Sequence, residues 1–473
     1  MVFSSTIFLL YFFPLFLLVY FLSPPKAKNY ILLAFSILFY AWGAPKFIFI
    51  LVGSTLVTWH IVRSMHRAGS AKQKKWLLIA TLLLNVGILL YFKYANFFME
   101  NFNDVLGSFG ISNLKWTAIA LPIGISFYTF QSLSYCVDVY RGVRPPLQRA
   151  SDFLLYIIMF PQLIAGPIVR FNTIAEQLTD RTSDGSDRIL GFYRFTIGLA
   201  KKVLIANVMG KYADLYMSGN LLQLSSTEAW LGLLAYTFQI YFDFAGYSDM
   251  AIGIGRMLGF SFPENFNNPY TSRSITEFWR RWHITLSAWM RDYLYIPLGG
   301  SRVNTRLRLF MNLWIVFLIS GLWHGASWNF VLWGAYHGLF LVLDRLFLKN
   351  LLDRAGTVIP TVFTFLVAVL GWVVFRLETF DQAMTYYGRL FAFDFQPVEI
   401  IHKLDMVIIM AIAFFFSFVT MSRFGRQLER TVYYDQYSLK RYLIMGAVVV
   451  LLFMLSVGSI AATGFNPFIY FRF

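Results

Sequence analysis

The sequence predicts an all-α, polytopic membrane protein, and three observations carry the prediction. Hydrophobic residues make up 58% of the 473 positions and charged residues only 14%, against roughly 45–50% and about 25% in soluble globular proteins. Apolar runs near the length that crosses a bilayer as helix, about 20 residues, recur along the whole chain. The 40 Lys and Arg, against 24 Asp and Glu, gather mainly in short stretches between those runs, where cytoplasmic loops carry positive charge. The net charge of +16 therefore reads as membrane orientation, with the lipid bilayer and not nucleic acid as the partner. Cys136 is the only cysteine, which excludes a disulfide scaffold.

The runs lie near 3–22, 30–62, 76–99, 116–140, 152–169, 189–209, 228–260, 309–348, 357–376, 405–422 and 441–462. The first has no positive n-region and no small-residue cleavage site after it, so it reads as a retained span. The run at 30–62 is too long for one span, and Gly43 and Pro45 split it into a helical hairpin. The run at 309–348 breaks near Gly321 to Gly325. The count is about eleven or twelve spans, some re-entrant. Residues 1–462 form one membrane domain and 463–473 a short tail.

Lys26 and Lys28, then Arg63, Arg67, Lys72, Lys74 and Lys75, flank the hairpin and place both its ends in the cytoplasm. The stretch 100–114 holds Glu100 and Asp104 without Lys or Arg and faces outside; Arg141, Arg144 and Arg149 return the chain inward. Arg423, Arg426, Arg430, Lys440 and Arg441 precede the last span, which puts the tail on the extracytoplasmic side.

One stretch, 271–302, is too charged to span. Ser274 followed by Glu277 is a capping-box pattern. Trp279, Trp282, Leu286, Trp289 and Tyr293 follow at helical spacing, as in an amphipathic helix at a membrane interface. Such a helix is an anchor. Its arginines, Arg280 and Arg281, with Arg302 beyond, also suit an anionic cytoplasmic ligand, because guanidinium matches phosphate in bidentate geometry.

His324 sits in GLWHGASW inside an apolar run. A histidine at membrane depth is a functional candidate by default, and flanking glycines permit the helix break found where a membrane helix lines a cavity. The competing reading is a packing contact to a neighbouring helix. His337 lies thirteen residues on, about 20 Å away if the helix is continuous, and reads as structural. His283, within the interfacial helix, fits either role. Asp243 and Asp249 are acidic groups in an apolar run; they serve as proton or ion sites, or as packing pairs with Arg256 the nearby cation. Cys136 reads as a buried inert thiol. No metal site is expected, since no ligands cluster at the required spacing.

These segments resemble the membrane-bound O-acyltransferase family. The likeness rests on ENFNNPY (264–270), ITEFWRRWHITLSAWMRDYLYIPLGGSR (275–302) and GLWHGASW (321–328), and extends through LPIGISFYTFQSLSY (121–135), FPQLIAGPIVR (160–170) and YFDFAGYSDMAIG (241–253). It is strongest to the bacterial branch that O-acetylates alginate, peptidoglycan and other exported glycans. The resemblance implies a helical funnel with His324 as the catalytic histidine at its centre and His283 as a second polar position. It implies acetyl-CoA as the cytoplasmic donor and an extracytoplasmic SGNH-type acetyltransferase that passes the acetyl group to a polysaccharide. Localisation would be the bacterial inner membrane. FIYFRF (468–473) resembles the C-terminal motif of the small partner in teichoic acid D-alanylation. On that reading Tyr470 is a transient acyl acceptor activated by His324; the plainer reading is an aromatic belt residue. A rival class is a transporter or flippase for a glycan or lipid precursor, which calls for a repeat architecture that the sequence does not show.

Overall fold

The computed structural model describes residues 2–397, 404–433 and 438–467. Among these the chain is helical and contains no strand. It divides into two compact units: one is Ile7–Ser183 with Leu258–Phe262, the other Phe3–Thr6, Asp184–Met257 and the chain from Pro263 onward.

The first unit contains α1 (Phe8–Leu22), α2 (Lys28–Gly43), α3 (Ile48–Arg67), α4 (Ala71–Ser108) and α5 (Ile125–Tyr140). The split of the second apolar run falls where expected. α2 closes at Gly43 and α3 opens at Ile48, because Pro45 cannot continue a helix it would have to hydrogen-bond into. Ser70 caps α4 by accepting from the Gln73 backbone N–H at 3.2 Å. Cys136 is buried on α5.

The second unit holds α6 (Gly185–Ala200), α7 (Asn207–Met217), α8 (Ser226–Met257), α9 (Ile275–Arg281), α10 (Ile284–Met290), α11 (Arg306–His324), α12 (Trp328–Leu343), α13 (Val358–Arg376), α14 (Phe380–Leu390), α15 (Leu404–Phe418), α16 (Arg423–Tyr433) and α17 (Leu439–Thr463). α8 is its axis. It is apolar on all sides and buried over most of its length, as expected of a helix surrounded by others. α6 lies so close to α8 that a Cβ on Gly198 would sit 2.5 Å from the Gly246 carbonyl oxygen.

Among the described residues, seven helices are long and apolar enough to cross a membrane: Ile48–Arg67, Ala71–Ser108, Arg306–His324, Trp328–Asp353, Val358–Arg376, Leu404–Met421 and Leu439–Thr463. The chain is thus an all-α polytopic membrane protein. The apolar runs counted toward eleven or twelve spans do not all become long helices. The run at 152–169 yields only Ala150–Ile158 and Phe160–Leu163, since Pro161, Gly166 and Pro167 interrupt it. The run at 189–209 is divided by a π-turn at Lys201–Ala206.

Candidate active site

His283 owes its position to a break in the expected interfacial helix. Ser274 does cap the start, accepting from the Glu277 N–H at 3.1 Å. The helix then stops at Arg281, and His283 takes a left-handed backbone conformation (φ 44°, ψ 53°) before α10 begins. For a non-glycine residue that geometry costs of order 1–3 kcal/mol and persists only where the surroundings impose it. Here the imposing group is Asn265, fully buried in the ENFNNPY segment. Its backbone oxygen accepts from the Ile284 N–H at 2.9 Å. Its side-chain oxygen accepts from the Thr285 hydroxyl at 2.8 Å, and its amide donates to the Ser248 hydroxyl on α8 at 3.0 Å. Trp279, Trp282 and Trp289 are buried, so the aromatic face of the segment enters the core of the unit.

His324 is the last residue of α11. The run breaks at Gly325–Ser327 as the flanking glycines predict, and α12 turns back against α11. A Cβ on Gly321 would lie 2.2 Å from the Phe330 carbonyl oxygen, and one on Gly334 would lie 2.3 Å from that of Phe317. Only glycine permits this approach. The His324 Nδ1 lies 2.6 Å from the Ser320 carbonyl oxygen. A carbonyl only accepts, so Nδ1 carries the hydrogen and Nε2 the lone pair.

Aromatic rings enclose the two histidines. Trp323, Trp333 and Phe375 pack edge-on to His324 with centroids at 5.0, 4.8 and 5.5 Å, and Phe244 packs likewise on His283 at 4.7 Å. The two imidazoles are 6.4 Å apart. His283 is buried, and among the described residues neither of its ring nitrogens has a hydrogen-bond partner. Burial, with the nearby His324 adding, holds its imidazole well below its ordinary pKa and therefore neutral. A buried polar group left unpaired costs about 1–3 kcal/mol, a cost that His337, both of whose ring nitrogens are likewise without a partner among the described residues, shares.

The helix break also changes the reading of His337. Because α12 folds back, Trp333 touches both His324 and His337, with centroids at 4.8 and 5.0 Å. The 20 Å separation assumed a continuous helix and does not hold.

A cavity of about 210 Å³ runs beside α11 and is lined by Arg280, Arg291, Arg345, Trp279, Phe317 and Ser320. Ser320 is the residue whose carbonyl orients His324. Of the three arginines singled out in the sequence, only Arg280 lines this space. Arg281 pairs with Glu277 at 2.7 Å and donates to the Asn267 carbonyl and the Thr271 hydroxyl. Arg302 is exposed and does not line the cavity. Arg345, far along the chain at the end of α12, had no sequence signal tying it to this group.

The membrane-depth carboxylates are ion-paired. Asp249 binds Arg194 at 2.5 Å and Lys201 at 2.6 Å, and Asp243 binds the equally buried Lys202 at 2.6 Å. Arg256, the expected partner, instead binds Asp187 at 3.2 Å. Lys201 and Lys202, two lysines in an apolar run, were the available signal. Lys202 also donates to the Pro467 carbonyl, and Asn207 donates to that of Phe465 at 3.3 Å, so the start of the tail is held against α6 and α7. Tyr470 lies outside the described residues.

Two histidines buried 6.4 Å apart among aromatic rings, one of them bonded to the backbone of Ser320 in the wall of a cavity that Arg280, Arg291 and Arg345 also line, lie within a polytopic membrane protein. Residues 78–377 match the model of MBOAT, the membrane-bound O-acyltransferase family. The chain is 40% identical over 503 residues to the probable alginate O-acetylase AlgI of Azotobacter vinelandii, with all of both chains covered. It is 37% identical to the peptidoglycan O-acetyltransferase of Helicobacter pylori, covering 81% of this chain and 78% of that one. It is 28% identical to the teichoic acid D-alanyltransferase of Bacillus subtilis, over 55% of this chain and 70% of the other. The chain belongs to the membrane-bound O-acyltransferase family, and it is an acyltransferase that uses an acyl donor.

Proposed function

We propose that this chain takes an acetyl group from cytoplasmic acetyl-CoA and delivers it across the bacterial inner membrane for O-acetylation of an exported polysaccharide of the alginate or peptidoglycan type. The observation that carries the reading is the His324–Ser320 hydrogen bond. In the neutral ring it leaves the lone pair on Nε2, one turn from Ser320 in the wall of a cavity that Arg280, Arg291 and Arg345 also line, and the relatives' names supply the transferred group and the acceptor class. The phosphates of coenzyme A meet Arg280, Arg291 and Arg345, while the pantetheine arm follows Trp279 and Phe317 toward Ser320. Arg281 and Arg302 contribute to the basic surface around that mouth.

His324 Nε2 removes the proton from an acceptor hydroxyl as its oxygen attacks the thioester carbonyl. The carbon–sulfur bond breaks, and coenzyme A leaves as a thiolate that takes the proton back from the imidazolium. Neutral imidazole, with an ordinary pKa of about 6.5, suits this exchange near neutral pH. His283 stays neutral and offers its polar edge to the reacting oxygen.

In this proposal the first acceptor is the Tyr470 phenol, on an extracytoplasmic tail. It lies three positions beyond the anchored Pro467, a reach of at most about 10 Å. Lys202, which holds Pro467, pairs with Asp243, next in sequence to the Phe244 that packs on His283. An aryl ester is a good acetyl donor, so an SGNH-type partner serine takes the group onward.

The test is acetyl transfer from labelled acetyl-CoA by the purified protein. His324→Ala is expected to lose about 10²–10⁴-fold in rate while remaining monodisperse. Label on the C-terminal peptide of the wild type, absent in Tyr470→Phe, identifies the intermediate. Near wild-type transfer by His324→Ala refutes the assignment of the base, and unlabelled peptide with transfer intact refutes that of Tyr470.

A further inference from the structure

A second cavity, of about 580 Å³, is lined by α6, α8, α15, α16, α17 and the ENFNNPY segment, with α16 at one end; neither histidine is in its lining. α17 packs on α6, and α15 packs on α7 and α8, which leaves a gap between these two spans. Its wall is apolar: Ile409, Ile412 and Phe416 come from α15, Val448 and Leu452 from α17. The end that α16 covers is the charged one, where Tyr433 of α16 lies against Arg194 and Lys201.

The pairing at that end is uneven. Arg194 is saturated by carboxylates, donating to Asp249 at 2.7 Å and to both oxygens of Glu264 at 3.1 and 2.7 Å. Lys201 gives one of its three hydrogens to Asp249 at 2.6 Å and keeps donors in hand. Glu429, on the inner face of α16, accepts only from the Asn268 amide at 2.7 Å. Among the described residues it has no cationic partner. The cavity therefore carries one carboxylate in need of a cation, one ammonium with donors to spare, and a long apolar wall. A half-buried carboxylate without a cation is costly, and an ammonium ligand would satisfy it.

We propose that this cavity binds a single zwitterionic phospholipid with a primary ammonium headgroup, its ammonium on Glu429, its phosphate on Lys201 and its acyl chain along α15 and α17. The volume is that of a small-molecule site, which runs from about 300 to 1,000 Å³. The cations gather about Tyr433 while the side chains from α15 and α17 are apolar, which is the distribution of an amphiphile and not of a soluble metabolite. Neither histidine lines this cavity, although Asn265, which fixes the His283 backbone, forms part of its wall; the lipid reading does not depend on which group is transferred.

The experiment uses the full-length protein in mild detergent, exchanged against an equimolar mixture of phosphatidylethanolamine, phosphatidylglycerol and phosphatidylcholine and read by native mass spectrometry. The expected result is one retained lipid per chain, with the ethanolamine form favoured by about tenfold, the effect of one charge-assisted hydrogen bond. Glu429→Gln should keep the lipid and lose the preference. Ile409→Trp and Leu452→Trp, from opposite walls, should lose the lipid while keeping the wild-type melting temperature and acetyl transfer. Glycerophosphoethanolamine, which has the headgroup and no chains, should not compete. Three results each overturn the proposal: no retained lipid, equal retention in both tryptophan variants, or a preference that survives Glu429→Gln. Competition by the chainless headgroup makes the ligand a small ammonium phosphate and overturns it as well.

Discussion

The imidazoles of His283 and His324 face one another at 6.4 Å with their planes 70° apart, although forty residues separate them and each is delivered by a different kind of break. His324 arrives at the end of a helix stopped by glycine. His283 arrives through a left-handed kink imposed by Asn265. The histidine pair is therefore only as rigid as these two interruptions.

Replacing His283 separates ring from backbone. His283→Asn and His283→Val both remove the imidazole, but asparagine tolerates the left-handed region and a β-branched residue does not. His283→Val should be less stable than His283→Asn by about 1–2 kcal/mol, measured by thermal unfolding in detergent. Equal stabilities would mean that the backbone is not held at φ 44°.

The hairpin of α11 and α12 depends on bare backbone contact. Gly321→Ala brings a methyl to 2.2 Å from the Phe330 carbonyl oxygen, where neither atom is at the end of a flexible side chain. It should cost more than about 2 kcal/mol and displace His324, seen as lost transfer and a lowered melting temperature. Gly87→Ala on α4, where a Cβ meets nothing within 4 Å, should be neutral or slightly stabilising.

The arginines should divide by position. Arg280→Ala and Arg345→Ala should each raise the apparent KM for acetyl-CoA several-fold, an effect that shrinks at high salt, with little change in kcat. Arg281→Ala breaks a half-exposed pair with Glu277, worth about 0.2–1 kcal/mol, and should shift stability slightly instead of KM. A KM effect for Arg281→Ala equal to that of Arg280→Ala would show that the cavity beside α11 is not the donor's path.

The pair Lys202–Asp243 is almost fully buried on both sides. Lys202→Met leaves a carboxylate buried without its cation and should destabilise by about 3–5 kcal/mol. Adding Asp243→Asn should recover much of that loss. Unfolding of the single and double variants measures it, and additive losses would show that the two charges do not depend on each other.

The sequence revealed the histidine and the break beside it because both signals are local: an ionisable residue in an apolar run, flanked by glycines. The hairpin at Gly43 and Pro45 was legible for the same reason. Partnerships across the fold were not. Arg256 was the nearest cation in sequence to Asp249, yet Arg194 and Lys201 on the neighbouring helix are nearer in space. His337 was dismissed on a distance that holds only for a straight helix. The periodic aromatics at 279–293 suggested one continuous helix, because helical spacing carries no sign of a kink whose cause lies at Asn265, outside the repeat. Pro161 and Gly166 cut one apolar run into short helices although its composition alone was long enough to span.

The tail contacts set an order of assembly. Asn466 donates to the Ser4 carbonyl at 2.9 Å and accepts from its hydroxyl at 3.0 Å, while Pro467 caps Lys202. These residues leave the ribosome after everything they touch. A nascent chain halted at the last span would already contain both histidines and the whole cavity beside α11, but it would lack the clasp between Ser4 and Asn466. The clasp therefore closes only after the last span is made, and until then Ser4 and Asn207 lack these contacts.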